Sequence, residues 1–506
     1  MATLFFQGIM AMFSLKIFAL LIVGVGVGII FGAVPGLTSV MAIALFLPVT
    51  YGLSPIEGMS ILMALYVGSV SGGLISAILL KMPGTPASIA TTFDGHPMAE
   101  KGQAYKAIGV GIVFSFIGTI ISMLALMFIA PVLANFAIKF GPHEYFAVGI
   151  FSLTLIAGLA GKSLVKGLIT ALLGMMVGTI GTAPIDASLR YTFKSMNLRT
   201  GFDILVVLVG LYAISEVLSN AGDKDLMENK SITKYTVKAK GLGFTFKEFW
   251  SQKWNALISG LLGVGIGILP GIGGATSNII SYSVSKNRSK HPELYGTGII
   301  DGVVASETAN NANIGGAMIP LLTLGIPGDA ATAMLLGGLI IHGITPGPLL
   351  FTQNPDIVYG ILAAMFVSSI LMVVMEYVGL KGFIKILEVK KYYLLPIIIV
   401  LCGVGAYGLN NRTFDIWGIL IFGIVGFTMQ AFDYPLAPMI MGFVLGPIVE
   451  LNLRRGMQYS QGNVLEFFTR PISGTFIIIA LLSIVLSIAR GFITKSKQKS
   501  KTKSSN

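Results

Sequence analysis

The sequence predicts an all-α integral membrane protein of roughly ten to fourteen spanning or re-entrant helices, carrying two structural repeats with discontinuous helices. Three observations carry that prediction. Charged residues are 11% of the 506-residue chain and hydrophobic residues 54%, whereas soluble domains hold about 25% charged residues. So few charges cannot cover a water-exposed surface, which leaves lipid as the solvent for most of the molecule. Apolar runs at 17–34, 61–80, 108–132, 164–180, 357–378, 394–407, 416–429 and 472–489 approach or exceed what crosses a hydrocarbon layer about 30 Å thick at 1.5 Å per residue. The third observation is that the least ordinary stretch of the chain occurs twice.

Residues 24–98 and 259–348 each run from a GxxxG segment into a Pro-Gly break, then through a Gly-Gly pair to a second Pro-Gly break. In the first copy Gly28, Gly32 and Pro35-Gly36 precede Gly72-Gly73 and Pro83-Gly84. In the second, Gly263, Gly267 and Pro270-Gly271 precede Gly315-Gly316 and Pro327-Gly328. Broken apolar segments at matching places in two halves point to the binding site of a secondary transporter. The 63 glycines suit close helix packing in a membrane.

In chain order, the first half covers 1–219, with broken helices at 35–38 and 83–88. Its first apolar run could pass for a signal peptide, but it contains the first break and is read as retained. A polar stretch at 220–255 follows, with seven lysines and with Phe244, Phe246, Phe249, Trp250 and Trp254 interleaved with Lys247 and Lys253. It reads as a cytoplasmic interfacial loop, with partner docking as the alternative. The second half, 256–450, breaks at 270–276 and 326–332; a loop and last span occupy 451–492. Segments near 357–450 and 472–489 read as ordinary lipid-facing helices that frame the core. The tail at 493–506 carries Lys495, Lys497, Lys499, Lys501 and Lys503, which places the C-terminus in the cytoplasm by the positive-inside rule. No aromatic or folded basic surface accompanies it, so the net charge of +12 is not read as nucleic-acid binding. The single cysteine, Cys402, excludes an intramolecular disulfide. Hydropathy does not decide whether the repeats are inverted or parallel.

The breaks are where the chemistry lies. Proline and glycine free backbone N–H and C=O groups, which in lipid cost several kcal/mol each unless protein, water or ligand satisfies them. Freed N–H groups at a half-helix N-terminus can hold a carboxylate, and freed carbonyls can hold a sodium ion. Candidate substrate-binding residues are therefore Pro35, Gly36, Thr38 and Ser39; Lys81, Gly84, Thr85, Pro86, Ala87 and Ser88; Gly271, Gly273 and Thr276; and Gly328, Asp329 and Ala330. The run from Ser306 to Asn313 is the densest polar stretch in an apolar half. An acid there is expensive unless it is paired, protonated or cation-bound. Glu307, Thr308, Asn310, Asn311, Asn313 and Gly325 are candidate cation ligands; a capping role at the membrane surface is the plainer reading of Asp301 and Glu307.

PGL at Pro35, KMPGTPASIATTFDGHPMA from Lys81, PGIG at Pro270, ETANNA from Glu307, PLLTLGIPG from Pro320 and HGITPGPLLF from His342 resemble the large membrane subunit of the tripartite tricarboxylate transporters. The resemblance covers nearly the whole chain. It implies cation-coupled uptake of a carboxylate across the inner membrane, with a small membrane subunit and an extracytoplasmic solute-binding protein as partners. It also implies inverted repeats and an elevator-like movement. Sodium or protons supply the driving force, the sequence does not decide which, and no cofactor is expected beyond such a coupling ion. Two residues depart from the pattern. Lys81 stands where such proteins usually carry an uncharged amide, and Asp329, which aligns with Thr85, where they carry a small residue. Lys81 could hold the substrate carboxylate, occupy a cation position, or pair with Asp329; the alternative is snorkelling. His96 and His342 read as loop or hydrogen-bonded residues in preference to a proton relay.

The sequence argues against an enzyme: no HExxH, GxSxG or Walker motif occurs, and the four histidines are dispersed. A passive channel or scaffold would suit the glycine content but not the paired broken helices. The residues do not specify which carboxylate is moved, and no arginine cluster in the repeats supports a tricarboxylate.

Overall fold

The computed structural model describes residues 2–159, 163–221, 242–386 and 391–485. It is helical almost throughout. Among the described residues the strands are Gly181–Thr182 and Leu189–Arg190, paired antiparallel with Gly181 opposite Arg190. Among the described residues seven helices are long and apolar enough to cross a membrane, and six shorter apolar helices of 10–17 residues accompany them. The basic tail at 493–506 and most of the lysine-rich loop, 222–241, lie outside the described residues.

The chain packs as two compact units. The first comprises Met1–Ile138 and Leu205–Phe427; the second comprises Lys139–Ile204 and, from Thr428 on, the described C-terminal residues. Both repeat segments fall in the first unit, which is therefore assembled from both halves of the sequence.

Within that unit one order of elements occurs twice. Leu15–Ala33 breaks before Ser39–Phe46, Pro55–Leu80 breaks before Thr91–Met98, and Ala104–Ala137 follows. Lys253–Gly267 breaks before Gly273–Arg288, Ile300–Leu324 breaks before Ala330–Ile341, and Pro355–Ile386 follows. The GxxxG glycines set the packing of each copy. A Cβ at Gly28 would sit 2.6 Å from Leu65 O, and one at Gly32 2.2 Å from Ser69 O. In the second copy Gly263 faces Ala309 O at 2.3 Å and Gly267 faces Asn313 O at 2.9 Å. No side chain fits at these crossings, so the backbones touch, as small-residue membrane interfaces allow.

The two copies interlock. Ala104–Ala137 packs on Ile300–Leu324, and Pro355–Ile386 packs on Pro55–Leu80. Pro355–Ile386 is accordingly not the ordinary lipid-facing helix expected from its hydropathy: most of its apolar window is buried, and it carries Glu376 at 0% exposure. In the second unit, Leu164–Gly178 and Leu436–Tyr459 meet with Gly174 against Met439 O and Gly442 against Ala171 O. Arg190 and Arg454 share Glu450 there.

Candidate functional site

Each break is a helix end with its own local chemistry. At the first, Val34 ends Leu15–Ala33 in an extended conformation and Gly36 has φ 87°. Thr38 then caps Ser39–Phe46 by accepting from Met41 N at 3.2 Å. At the second, Lys81 ends Pro55–Leu80 in the left-handed region (φ 58°, ψ 18°), and Thr85 N donates to Ser88 Oγ at 3.4 Å at the start of Pro86–Ser88. The fourth break repeats the second. Gly325 ends Ile300–Leu324 at φ 71°, and Asp329 forms a capping box with Thr332, accepting from Thr332 N at 2.8 Å. The third differs: Gly273–Arg288 has Ile272 at its N-cap position and no side-chain cap.

These ends meet one another. Gly271 N donates to Gly328 O at 2.7 Å, tying the third break to the fourth. A Cβ at Gly273 would lie 3.5 Å from Asp329 Cβ. One at Gly274 would lie 3.0 Å from Ala87 Cβ and 3.0 Å from Asn310 Oδ1, joining the second break to the third beside Ile300–Leu324. Gly84 abuts Gly32 O just ahead of the first break, and Asn220 Nδ2 donates to Gly36 O at 2.8 Å. Ala90 N donates to Asn278 Oδ1 at 2.7 Å, fixing the 85–90 segment on Gly273–Arg288.

The polar side chains divide into satisfied and unsatisfied. Asp329 is satisfied: its Oδ2 accepts from Tyr66 Oη at 2.5 Å and from Asn313 Nδ2 at 3.1 Å, while Oδ1 takes the cap bonds from Thr332. Lys81 is exposed, and those contacts rather than Lys81 hold the Asp329 carboxylate. Asp94 is satisfied as well, accepting from Tyr282 Oη and from the N–H groups of Gly296, Gly298 and Ile299. His96 is hydrogen-bonded: its Nδ1 donates to Ile78 O at 3.0 Å and its Nε2 lies 3.3 Å from Glu100 Oε1.

By contrast, Thr85 Oγ1, Asn310 Oδ1 and Asn313 Oδ1 are buried with no donor, as are Thr308 Oγ1 and Asn311 Oδ1 one face away. Asn310 Nδ2 is committed to Val70 O at 3.4 Å and Asn313 Nδ2 to Asp329, so it is their oxygens that are left over. An unpaired buried acceptor costs about 1–3 kcal/mol. Of these, Asn310 Oδ1 lies beside the uncapped N-terminus of Gly273–Arg288, 3.0 Å from where a Gly274 Cβ would sit, and that combination marks the candidate site. Glu307, at 0% exposure, is held by the Thr91 hydroxyl and by Ser115 Oγ at 3.1 Å. Thr276 is half-buried and donates back to Ile272 O, and Pro86 is exposed. Among the described residues no cluster of three or more His, Cys, Asp or Glu side chains could hold a metal ion.

A cavity of about 180 Å³ lies elsewhere, lined by Trp254, Asn255, Ser285, Arg288, Tyr295 and Asp301. Arg288 ends the helix that begins at Gly273, and at 1.5 Å per residue those ends are about 22 Å apart. It is not the space between the breaks.

Residues 18–441 match the model of the tripartite tricarboxylate transporter TctA family. The chain belongs to that family. An uncharacterised 52.8 kDa protein of the TAR-I ttuC′ 3′ region in Agrobacterium vitis is 36% identical over 467 residues, covering 92% of each chain. A second Agrobacterium vitis protein, from the TAR-II ttuC′ 3′ region, is 38% identical over 233 residues, covering 46% of this chain and 96% of its own. No solved structure matches. As a TctA-family protein the chain is a multi-pass membrane component of a transporter and not an enzyme. Membership implies partner subunits, a solute-binding protein and a transported anion.

Sequence reasoning missed three participants of the TctA-family core. Tyr66 lies in an apolar helix with no polar neighbour to single it out; the repeat alignment that pairs Thr85 with Asp329 also pairs it with Asn310. Asn220, at the start of the expected loop, lies in the last turn of the Ser215–Ala221 helix and reaches Gly36. Glu376 had a signal that was passed over, an acid inside an apolar run, which is the rule that singled out Glu307.

Proposed function

We propose that this chain carries a small organic carboxylate inward across the cell membrane, coupled to a cation, with a small membrane subunit and an extracytoplasmic binding protein as partners. The observation that carries the reading is an uncapped helix N-terminus at Gly274 lying against the donor-less Oδ1 of Asn310 and next to Asn313. The N-terminus of Gly273–Arg288 is the end open to the substrate carboxylate. Asp329 already supplies the anion at the N-terminus of Ala330–Ile341, and two anions at one helix end repel. The oxygens of Thr85, Asn310 and Asn313 suit a coupling cation or a substrate hydroxyl. Pro35, Gly36, Thr38, Ser39, Gly84, Ala87, Ser88, Gly271 and Gly328 complete the pocket wall in this reading, and Lys81 acts from its rim.

The recurring order of elements suits inverted repeats, and the backbone contacts at Gly28, Gly32, Gly263 and Gly267 suit rigid helix pairs that move as one body, as an elevator-like cycle requires. The lysine-rich loop and tail place the C-terminus in the cytoplasm. The test is accumulation of radiolabelled carboxylate in proteoliposomes holding both membrane subunits, with binding protein added, under a sodium gradient, a pH gradient or neither. Accumulation above the external concentration under either gradient supports a carrier. Flux that only equilibrates the label, whatever the gradient, makes the protein a passive pathway and overturns the proposal.

A further inference from the structure

Glu376 is a buried carboxylate of the first unit that has no part in the site described. It lies in Pro355–Ile386 at 0% exposure. Ser71 Oγ donates to its Oε2 at 3.0 Å, and its Oε1 is buried with no partner. The elements packed around that helix bring it no cation. Ala2–Met12 and Leu350–Gln353 carry no titratable side chain. Lys16, on Leu15–Ala33, pairs with Glu57 of Pro55–Leu80. On Pro55–Leu80, Tyr66 is bound to Asp329. On Ala104–Ala137, Lys106 pairs with Glu248, and Tyr105 interacts with Tyr377. On the helix itself Lys381 and Lys385 are exposed.

A carboxylate in that setting must be neutralised. A sodium ion sheds water only where several oxygens replace it, and the hydrogen-bond partner shown for the Glu376 carboxyl is the Ser71 hydroxyl alone, with Oε1 left bare. A proton on Oε1 needs no further ligand, and a neutral carboxyl with one unpaired oxygen is far cheaper to bury than an ion. Ser71 also has a neighbour in the site: Val70 O, the next residue, accepts from Asn310 Nδ2. One turn of Pro55–Leu80 thus touches Glu376 on one side and the candidate binding pocket on the other.

We infer that Glu376 is a proton-binding site, carrying its proton on Oε1 and linked through Ser71 and Val70 to Asn310, so that proton loading and pocket occupancy act on the same helix turn. As a step in transport this rests on the proposed function; as a protonation site it does not. Infrared difference spectra of the full-length chain in lipid, recorded between acid and alkaline buffer, test it directly. The expected result is a carboxylic-acid C=O band that Glu376→Gln removes, that Glu307→Gln leaves in place, and that Ser71→Ala shifts in frequency as its hydrogen bond is lost. Ser71→Ala keeps the carboxyl and so remains informative should Glu376→Gln fail to fold. A spectrum unchanged by Glu376→Gln, no shift in Ser71→Ala, or a carboxylate band at Glu376 that responds to sodium instead of pH overturns the inference. In proteoliposomes with both partners, Glu376→Gln should abolish the part of uptake that a pH gradient drives. No uptake by the unaltered complex would count against the proposed function and leave the infrared result standing.

Discussion

Lys81 and Gly325 occupy equivalent helix ends, and both are left-handed, at φ 58° and φ 71°. A lysine there strains the backbone by about 1–2 kcal/mol relative to glycine. Lys81→Gly should therefore raise the midpoint of thermal unfolding in detergent while lowering carboxylate uptake, because the stabler residue lacks the ammonium at the rim. Raised stability with unchanged uptake would make Lys81 a surface residue that snorkels. Asp329 gives the opposite balance. Asp329→Ala removes a helix cap worth about 1 kcal/mol and leaves Tyr66 and Asn313 without their acceptor. Its unfolding midpoint should fall. Asp329→Thr, which copies Thr85, should recover the cap portion but not the Tyr66 portion. Proline and glycine mark the breaks locally and so placed both residues at helix ends, and the family resemblance marked them as departures. It did not reveal what Asp329 touches, since Tyr66 is 263 residues away and nothing in an apolar helix distinguishes a tyrosine that meets a carboxylate from one that meets lipid.

Two elements carry tests of their own. The glycine crossings predict that Gly32→Ala and Gly263→Ala, whose new methyls would lie 2.2 Å and 2.3 Å from backbone oxygens, each force two helices apart at a cost of about 1–3 kcal/mol. Gly265→Ala meets nothing within 4 Å and should be neutral or slightly stabilising; unfolding midpoints of the three variants compare them directly. The interfacial stretch expected around Phe246 and Trp250 is a short helix, Phe246–Ser251, capped by Thr245 and laid with Phe249 against Phe114 at 5.7 Å. Its Glu248 pairs with Lys106 of Ala104–Ala137. The Lys106 ammonium, with the Thr245 cap, holds the Glu248 carboxyl down to about 2 from an ordinary 4.5. A depressed carboxyl stabilises docking fully above its ordinary range, and that contribution is lost as pH falls from 4.5 toward about 2. Lys106→Ala should move the acid transition of tryptophan emission from this helix upward, while the Thr245 cap keeps it below the ordinary carboxylate range. The effect on stability will be small, because the pair is partly exposed and screened.

At the scale of the molecule, hydropathy found the spans because each apolar run is local, whereas the units of packing are not local. A window average hid Glu376 inside an apolar run, and no linear reading joins 139–204 to the chain beyond 428. The same non-locality makes a prediction about the core. Glu307 of the second half takes its hydroxyls from Thr91 and Ser115 of the first, Asp329 takes Tyr66, and Glu376 takes Ser71. Either half alone would bury an acid without its donors, and unpaired buried acids are strongly destabilising in lipid. A protease site inserted within 222–241, a stretch rich in lysine and polar residues, should therefore yield two fragments that stay together through gel filtration after cleavage, with uptake retained. Each fragment expressed by itself should aggregate or be degraded, and co-expression should rescue both. Fragments that are separately monodisperse and helical would mean that the acid–hydroxyl contacts between the halves are dispensable, and that each repeat is stabilised by its own glycine crossings alone.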